Sequence, residues 1–233
     1  METKDHKAVG IFLINQIMEK VERPLQWAFL WGCVEPDFNV FTYLKGSMYG
    51  EKFRGHNYEN AYERVKYYVK KLEKEKKEAW GFAVGEITDQ KSGNVQVQSQ
   101  NDLKERSVSR KAGVYRVFWR LSWYFMLGKL THYVADSFTF PHNKEFPGNL
   151  TEHVKYESEL HNYLISTLKL DMHAWRLLYP KYELAFQIGQ MHEQYVKVSR
   201  SYVTDCCYIL NALVDVMEHF AGRSAEWLDE KVA

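Results

Sequence analysis

Cysteine is scarce: three residues, Cys33, Cys206 and Cys207, in a chain of 233. An odd count with two adjacent members excludes a disulfide framework. It also excludes a zinc site built from spaced thiolate pairs, and it fits a reducing compartment. With 5 prolines and 13 glycines the chain is too poor in turn residues for an all-β fold. No apolar run approaches the roughly 18 residues of a membrane span. The nearest, residues 119–127 (WRLSWYFML), is interrupted by Arg120 and Ser122. Excess charge is also missing. Lys plus Arg total 31, Asp plus Glu 30, and the net charge is +1. That excludes a strongly basic protein whose affinity is built on phosphate neutralisation. At the N-terminus Glu2 and Asp5 spoil a basic leader, and no small-residue cleavage site follows, so a cytoplasmic protein without a signal peptide is expected.

What is present is a helical, aromatic-rich chain. Apolar residues make up 45%, which is ordinary for a globular protein, and aromatics 15%, which is high. Val9, Phe12, Leu13, Ile17 and Val21 follow a 3.6-residue period over 7–22, and Pro24 should stop that helix. A second apolar helix is expected over 24–32, ending at Gly32. Residues 57–79 carry the stripe Tyr62, Val65, Tyr68, Val69 and Leu72. Residues 93–109 are polar without a stripe and predict an exposed loop. Further helices are expected at about 111–138, 150–168, 181–220 and 223–231. Strand signals are nearly absent, and there is no repeat or mid-chain linker. The economical reading is a single all-α, multi-helix domain over 1–233. The tryptophans read as core residues.

The chemistry concentrates between residues 127 and 161. His132 and Asp136 stand four apart on a predicted helix, so they share a face with β-carbons roughly 5–6 Å apart. His142 follows just beyond Pro141. His153 and Glu157 form a second pair at the same spacing on the next helix. One such pair is ordinarily a surface or half-buried hydrogen bond. Two pairs joined by a third histidine put a metal site on an equal footing with that plain reading. Mixed imidazole and carboxylate donors suit zinc, and carboxylates can bridge two ions. His161 extends the 153–157 stripe as a neighbour that orients a ligand or as a simple surface contact. His173, His192 and His219 have no partner pattern.

The stretch HYVADSFTFPH with the downstream EHVKYE resembles the signature of the zinc-dependent phospholipase C family, which is related to the P1/S1 nucleases. The resemblance implies an all-α fold around two or three zinc ions. It departs from the family pattern at Ala135, where Gly or a similar small residue is usual, and at Pro141, which directly precedes His142 rather than standing two residues before it. Upstream, the family has an aspartate in a Pro-Asp dipeptide, here Asp37 in GCVEPDF, and a later histidine, here His56 in RGHNY. Without the resemblance these would read as a helix cap and a loop histidine. Secreted members use an N-terminal Trp amino group and a first-helix His for a third zinc. This chain starts with Met1, has no Trp before Trp27, and offers only His6, so a reduced or altered third site is expected.

The family pattern assigns Asp37, His56, His132 and Asp136 to one zinc. It assigns His142, His153 and Glu157, with Asp136 shared, to its neighbours. The implied activity is that of a zinc-dependent phosphoric ester hydrolase, a phospholipase C-like phosphodiesterase with Asp37 as general base. The substrate that the resemblance implies is a phosphate ester, a phospholipid or a soluble headgroup ester. The membrane-binding β-sandwich of the larger toxins is not expected here. Two alternatives stay open: a P1-type nuclease or nucleotidase, with Phe138, Phe140 and Tyr156 as stacking candidates, and a non-catalytic zinc-stabilised helical protein.

Overall fold

The computed structural model describes residues 1–39, 57–89, 101–169, 183–198 and 200–221. Among them seven α-helices and one 3-10 turn occur and no strand, so the fold is all-α. The helices are α1 (Thr3–Ile17), α2 (Arg23–Phe38), α3 (Tyr58–Asp89), α4 (Asn101–Ser137), α5 (Leu150–Thr167), α6 (Leu184–Tyr195) and α7 (Tyr202–Phe220). The 3-10 turn, Phe140–His142, joins α4 to the loop ahead of α5. No helix among the described residues is long and apolar enough to cross a membrane.

The apolar stripes become the core. Val9, Leu13, Val65, Leu72, Leu127, Leu130, Ile188, Ile209 and Leu213 are all buried. Helix α2 differs from its expected extent because Gly32 does not end it. Gly32 and Gly128 meet where α2 crosses α4. A β-carbon on Gly32 would stand 2.1 Å from the Phe125 carbonyl oxygen, and one on Gly128 2.1 Å from that of Phe29. The two backbones touch with no side chain between them, a close approach that requires glycine. Helix α2 then runs on through Pro36 to Phe38, and Lys129 pairs with Glu35 at 2.6 Å to hold the two helices side by side. Pro24 lies in the first turn of α2, where its missing N–H costs nothing, while α1 ends earlier at Ile17.

Three further expectations need correction. Residues 101–109 are not loop but the start of α4. Leu, Lys, Glu and Arg in NDLKERSVS are good helix formers, and an existing helix is extended cheaply, one hydrogen bond per residue, without needing a buried stripe. Residues 93–100 lie outside the described residues. The expected helix at 181–220 is two helices, α6 and α7. The Ser201 side chain accepts from the Thr204 N–H at 3.1 Å, which caps the new start. The expected C-terminal helix at 223–231 lies outside the described residues. The tryptophans divide: Trp123 is buried, but Trp27 and Trp31 on the outer face of α2 are 70% and 58% exposed.

Candidate metal centre

The centre gathers side chains from α1, α2, α4, the 3-10 turn and α5. His132 sits in α4, fully buried. Its Nδ1 faces the Cys33 carbonyl oxygen of α2 at 2.9 Å. A carbonyl only accepts, so Nδ1 carries a proton and Nε2 is the ring atom turned toward the carboxylates. That Nε2 looks at Asp136 Oδ2 at 3.2 Å and at Asp37 Oδ1 at 3.7 Å. With two carboxylate oxygens before it, Nε2 calls for either a proton or a metal cation between them. His6 of α1 stacks on the His132 ring, with centroids 3.8 Å apart. Burial and the His132 ring lower the His6 pKa to about 4, so it is neutral at pH 7. Its Nε2 and Asp37 Oδ2 are buried and make no hydrogen bond among the described residues. His6, Asp37 and His132 each offer one ligand atom, and these atoms lie within 4.8 Å of one another.

His142, His153 and Glu157 form a second group within the same 4.8 Å limit. Local folding aims them. Helix α4 stops at Ser137, and the Thr139 hydroxyl donates to the Ala135 carbonyl at 3.1 Å. The His142 N–H donates to the Thr139 carbonyl at 2.9 Å, closing the turn. Asn149 then caps α5: its Oδ1 accepts from the N–H groups of Thr151 and Glu152 at 2.9 and 3.1 Å, and the Glu152 carboxylate accepts from the Asn149 N–H at 2.7 Å. This capping box fixes the start of the helix that presents His153 and Glu157 one turn apart. Glu157 Oε1 lies 3.1 Å from His142 Nε2 and 3.2 Å from His153 Nε2.

Asp136 stands between the groups. Its Oδ2 faces His132, and its Oδ1 lies 3.2 Å from His6 Nε2 and 3.4 Å from His142 Nδ1. The Met1 α-amino group also reaches this point, 3.1 Å from Asp136 Oδ1 and 3.0 Å from Glu157 Oε1. Burial opposes its charge, but the two carboxylates outweigh it and push its pKa up to about 11. The carboxylates answer in kind. Burial acts to raise both, yet the ammonium and the surrounding imidazoles hold Asp136 and Glu157 well below the usual carboxylate range.

Of the residues singled out from sequence, His6, Asp37, His132, Asp136, His142, His153 and Glu157 converge, while His56 lies outside the described residues. His161 stays off the cluster and hydrogen-bonds through Nδ1 to Asp5, the buried neighbour of His6. Sequence reasoning missed Asp5 and His192, while the N-terminal amino group that the family resemblance pointed to is here that of Met1. The Nε2 of His192 meets Asn143 Oδ1 at 2.6 Å, beside His142. Only Asp5 carried a signal, its place next to His6.

The donor set of imidazoles and carboxylates fits zinc. No curated protein and no solved structure matches the chain. The model of one family, described as zinc dependent phospholipase C, matches residues 6–209. With most of its length matched and its histidines and carboxylates gathered at one point, the chain belongs to the zinc-dependent phospholipase C family.

Proposed function

We propose that the chain is a phospholipase C-like phosphodiesterase. His6, Asp37 and His132 would hold one zinc ion, His142, His153 and Glu157 another, and Asp136 would face both. The supporting observation is His132 Nε2 set against two carboxylates, with Nδ1 held by the Cys33 carbonyl. Such a backbone anchor orients a ligand imidazole and raises its basicity. Zinc supplies Lewis acidity that brings hydroxide within reach at neutral pH and stabilises charge on phosphoryl oxygens.

The chain's own residues do the rest. Asp37 is half-buried at the end of α2, so one carboxylate oxygen can take the proton of the attacking water while the other stays with His132. The water oxygen bonds to phosphorus, the ester P–O bond breaks, and the leaving alkoxide takes up a proton. His153 is the most open of the converging side chains at 29% exposed, which makes its side of the centre the approach for substrate. Asp37→Asn should lower turnover by about 10²–10⁴-fold while metal content falls much less. Unchanged turnover in that variant would remove Asp37 from the mechanism.

A nuclease reading has one observation in its favour. Phe138 is buried, and the Phe140 and Tyr156 rings pack against each other and against Phe146, with Arg200 over Phe140. Trp31 and Phe38 offer a base-stacking face: both are exposed, with rings 10° from parallel and centroids 6.4 Å apart, on the helix that bears Asp37. Exposed indole and phenyl rings suit a lipid interface as well as a nucleobase. Paired assays on zinc-loaded protein, with a choline-phosphate ester and with single-stranded DNA, separate the two. Hydrolysis of the ester alone supports the phospholipase reading. Hydrolysis of DNA alone replaces it, and inertness toward both leaves a zinc-stabilised, non-catalytic protein.

A further inference from the structure

Asp205 is a fully buried carboxylate in the first turn of α7, outside both donor groups. Three donors converge on it. Its Oδ2 accepts from the Phe140 N–H at 3.0 Å and from the Tyr156 hydroxyl at 3.1 Å. Its Oδ1 accepts from the Tyr195 hydroxyl at 2.8 Å. Burying a carboxylate is expensive unless hydrogen bonds replace its water. Burial pushes its pKa up to about 6, against the pull of the three donors. Hydrogen bonds to an ionised carboxylate are of the strong, charge-assisted kind.

The destinations of those bonds matter more than their number. Phe140 opens the 3-10 turn that closes at His142, and Tyr156 directly precedes Glu157 in α5. One carboxylate thus fixes the turn and the helix relative to each other, at points two residues and one residue from converging side chains. The third donor, Tyr195, belongs to α6, which carries none of them.

We propose that Asp205 is a positioning residue for the His142, His153 and Glu157 half of the centre, acting through the Phe140 amide and the Tyr156 hydroxyl. The inference rests on the reading of that half as a zinc site. Groups that orient metal ligands typically contribute 10–100-fold in metal affinity. One step further out, roughly tenfold is expected.

The test compares Asp205→Asn, Tyr156→Phe and Tyr195→Phe in the full chain. Zinc affinity is measured by competition with a chelator, and ligand geometry by the visible spectrum of the cobalt-substituted protein. Asp205→Asn should weaken one ion about tenfold and alter the cobalt spectrum, leaving the other ion within about twofold. Tyr156→Phe should do the same more weakly. Tyr195→Phe also deprives Asp205 of a donor, but it should lower only the urea midpoint. A folded Asp205→Asn variant with wild-type affinities and spectrum overturns the inference. If that variant does not fold, equal effects of the two tyrosine variants on zinc overturn it instead. If the unmodified chain takes up no zinc, the metal reading falls by itself. Imidazole NMR of the metal-free protein then decides the positioning role. His142 and His153 signals that move in Tyr156→Phe and not in Tyr195→Phe support it, and signals that move in neither overturn it.

Discussion

The two halves of the centre are built in opposite ways. His6, Asp37 and His132 come from three helices far apart in sequence, and their assembly depends on how α1, α2 and α4 cross. His142, His153 and Glu157 lie within residues 142–157, on a turn and the helix that follows. The first half is the more deeply set, with His132 fully buried and tied to the α2 backbone and only Asp37 half-buried. The second opens to solvent at His153. A deeply set half assembled by the whole fold should be coupled to stability. An open half assembled locally should be coupled to substrate, and largely separable from folding.

Replacing Asp136, which faces both halves, erases the comparison and should have the largest effect. Asp136→Ala should cost both ions and reduce hydrolysis by at least about 10²-fold, more than loss of a mere ligand-orienting group. Metal analysis by mass spectrometry beside a turnover assay checks this, and retention of either ion would contradict the shared position of Asp136. His132→Ala against His153→Ala sharpens the contrast. The first leaves the buried Cys33 carbonyl without its donor and should destabilise even the metal-free protein by about 1–3 kcal/mol. The second should change metal-free stability by less than about 0.5 kcal/mol while still weakening zinc binding. Urea unfolding with and without zinc measures both.

The support beneath the open half should also titrate. Burial pushes His192 down to about 4, with Glu59 partly opposing. Its folded pKa lies below its unfolded value of about 6.5, so the unfolded chain binds the extra proton. The stability His192 allows is present above pH 6.5 and is lost as pH falls toward 4. Asp205, raised to about 6 by burial, works the other way, its share being lost as pH rises through the same range. The unfolding free energy of wild type relative to His192→Gln should therefore swing toward the variant by about 2–3 kcal/mol between pH 7 and pH 4. An unchanged difference would show that His192 does not titrate as its burial demands. At the far end, Lys144→Ala breaks an exposed ion pair with Glu59 and should cost no more than about 1 kcal/mol. Zinc binding should be unaffected, so a measurable change in zinc affinity would extend the open half beyond the residues named.

The same contrast governs what could be read from sequence. The i,i+4 spacings of His132 with Asp136 and of His153 with Glu157 are properties of a single helix, so they were legible without a fold. The all-α class was legible too, because the apolar stripes at Val65, Val69 and Leu72 or at Val9 and Leu13 declare their period locally. His6 and Asp37 came only through family resemblance, since nothing near them in the chain says that α1 and α2 bring them to α4. Asp205 carried no sequence signal, its partners lying far along the chain, and the Met1 amino group, like His6, came only through the family resemblance. The polar run at 101–109 misled because a helix can be extended by propensity alone. Trp27 and Trp31 misled because burial belongs to a residue's neighbours and not to its type.

The contact of Gly32 with Gly128 has a consequence for anyone wishing to re-size this centre. Asp37 hangs from one of these helices and His132 from the other. At their crossing the gap between the helices is a dimension of bare backbone. Exchanging leucines for larger or smaller residues elsewhere in the interior changes how densely the protein is filled, but it supplies no spacer at that point. The width of the deeply set half is therefore a fixed gauge. Selectivity for a larger or smaller cation has to be engineered in the donor side chains themselves, by exchanging aspartate for glutamate or histidine for a shorter ligand.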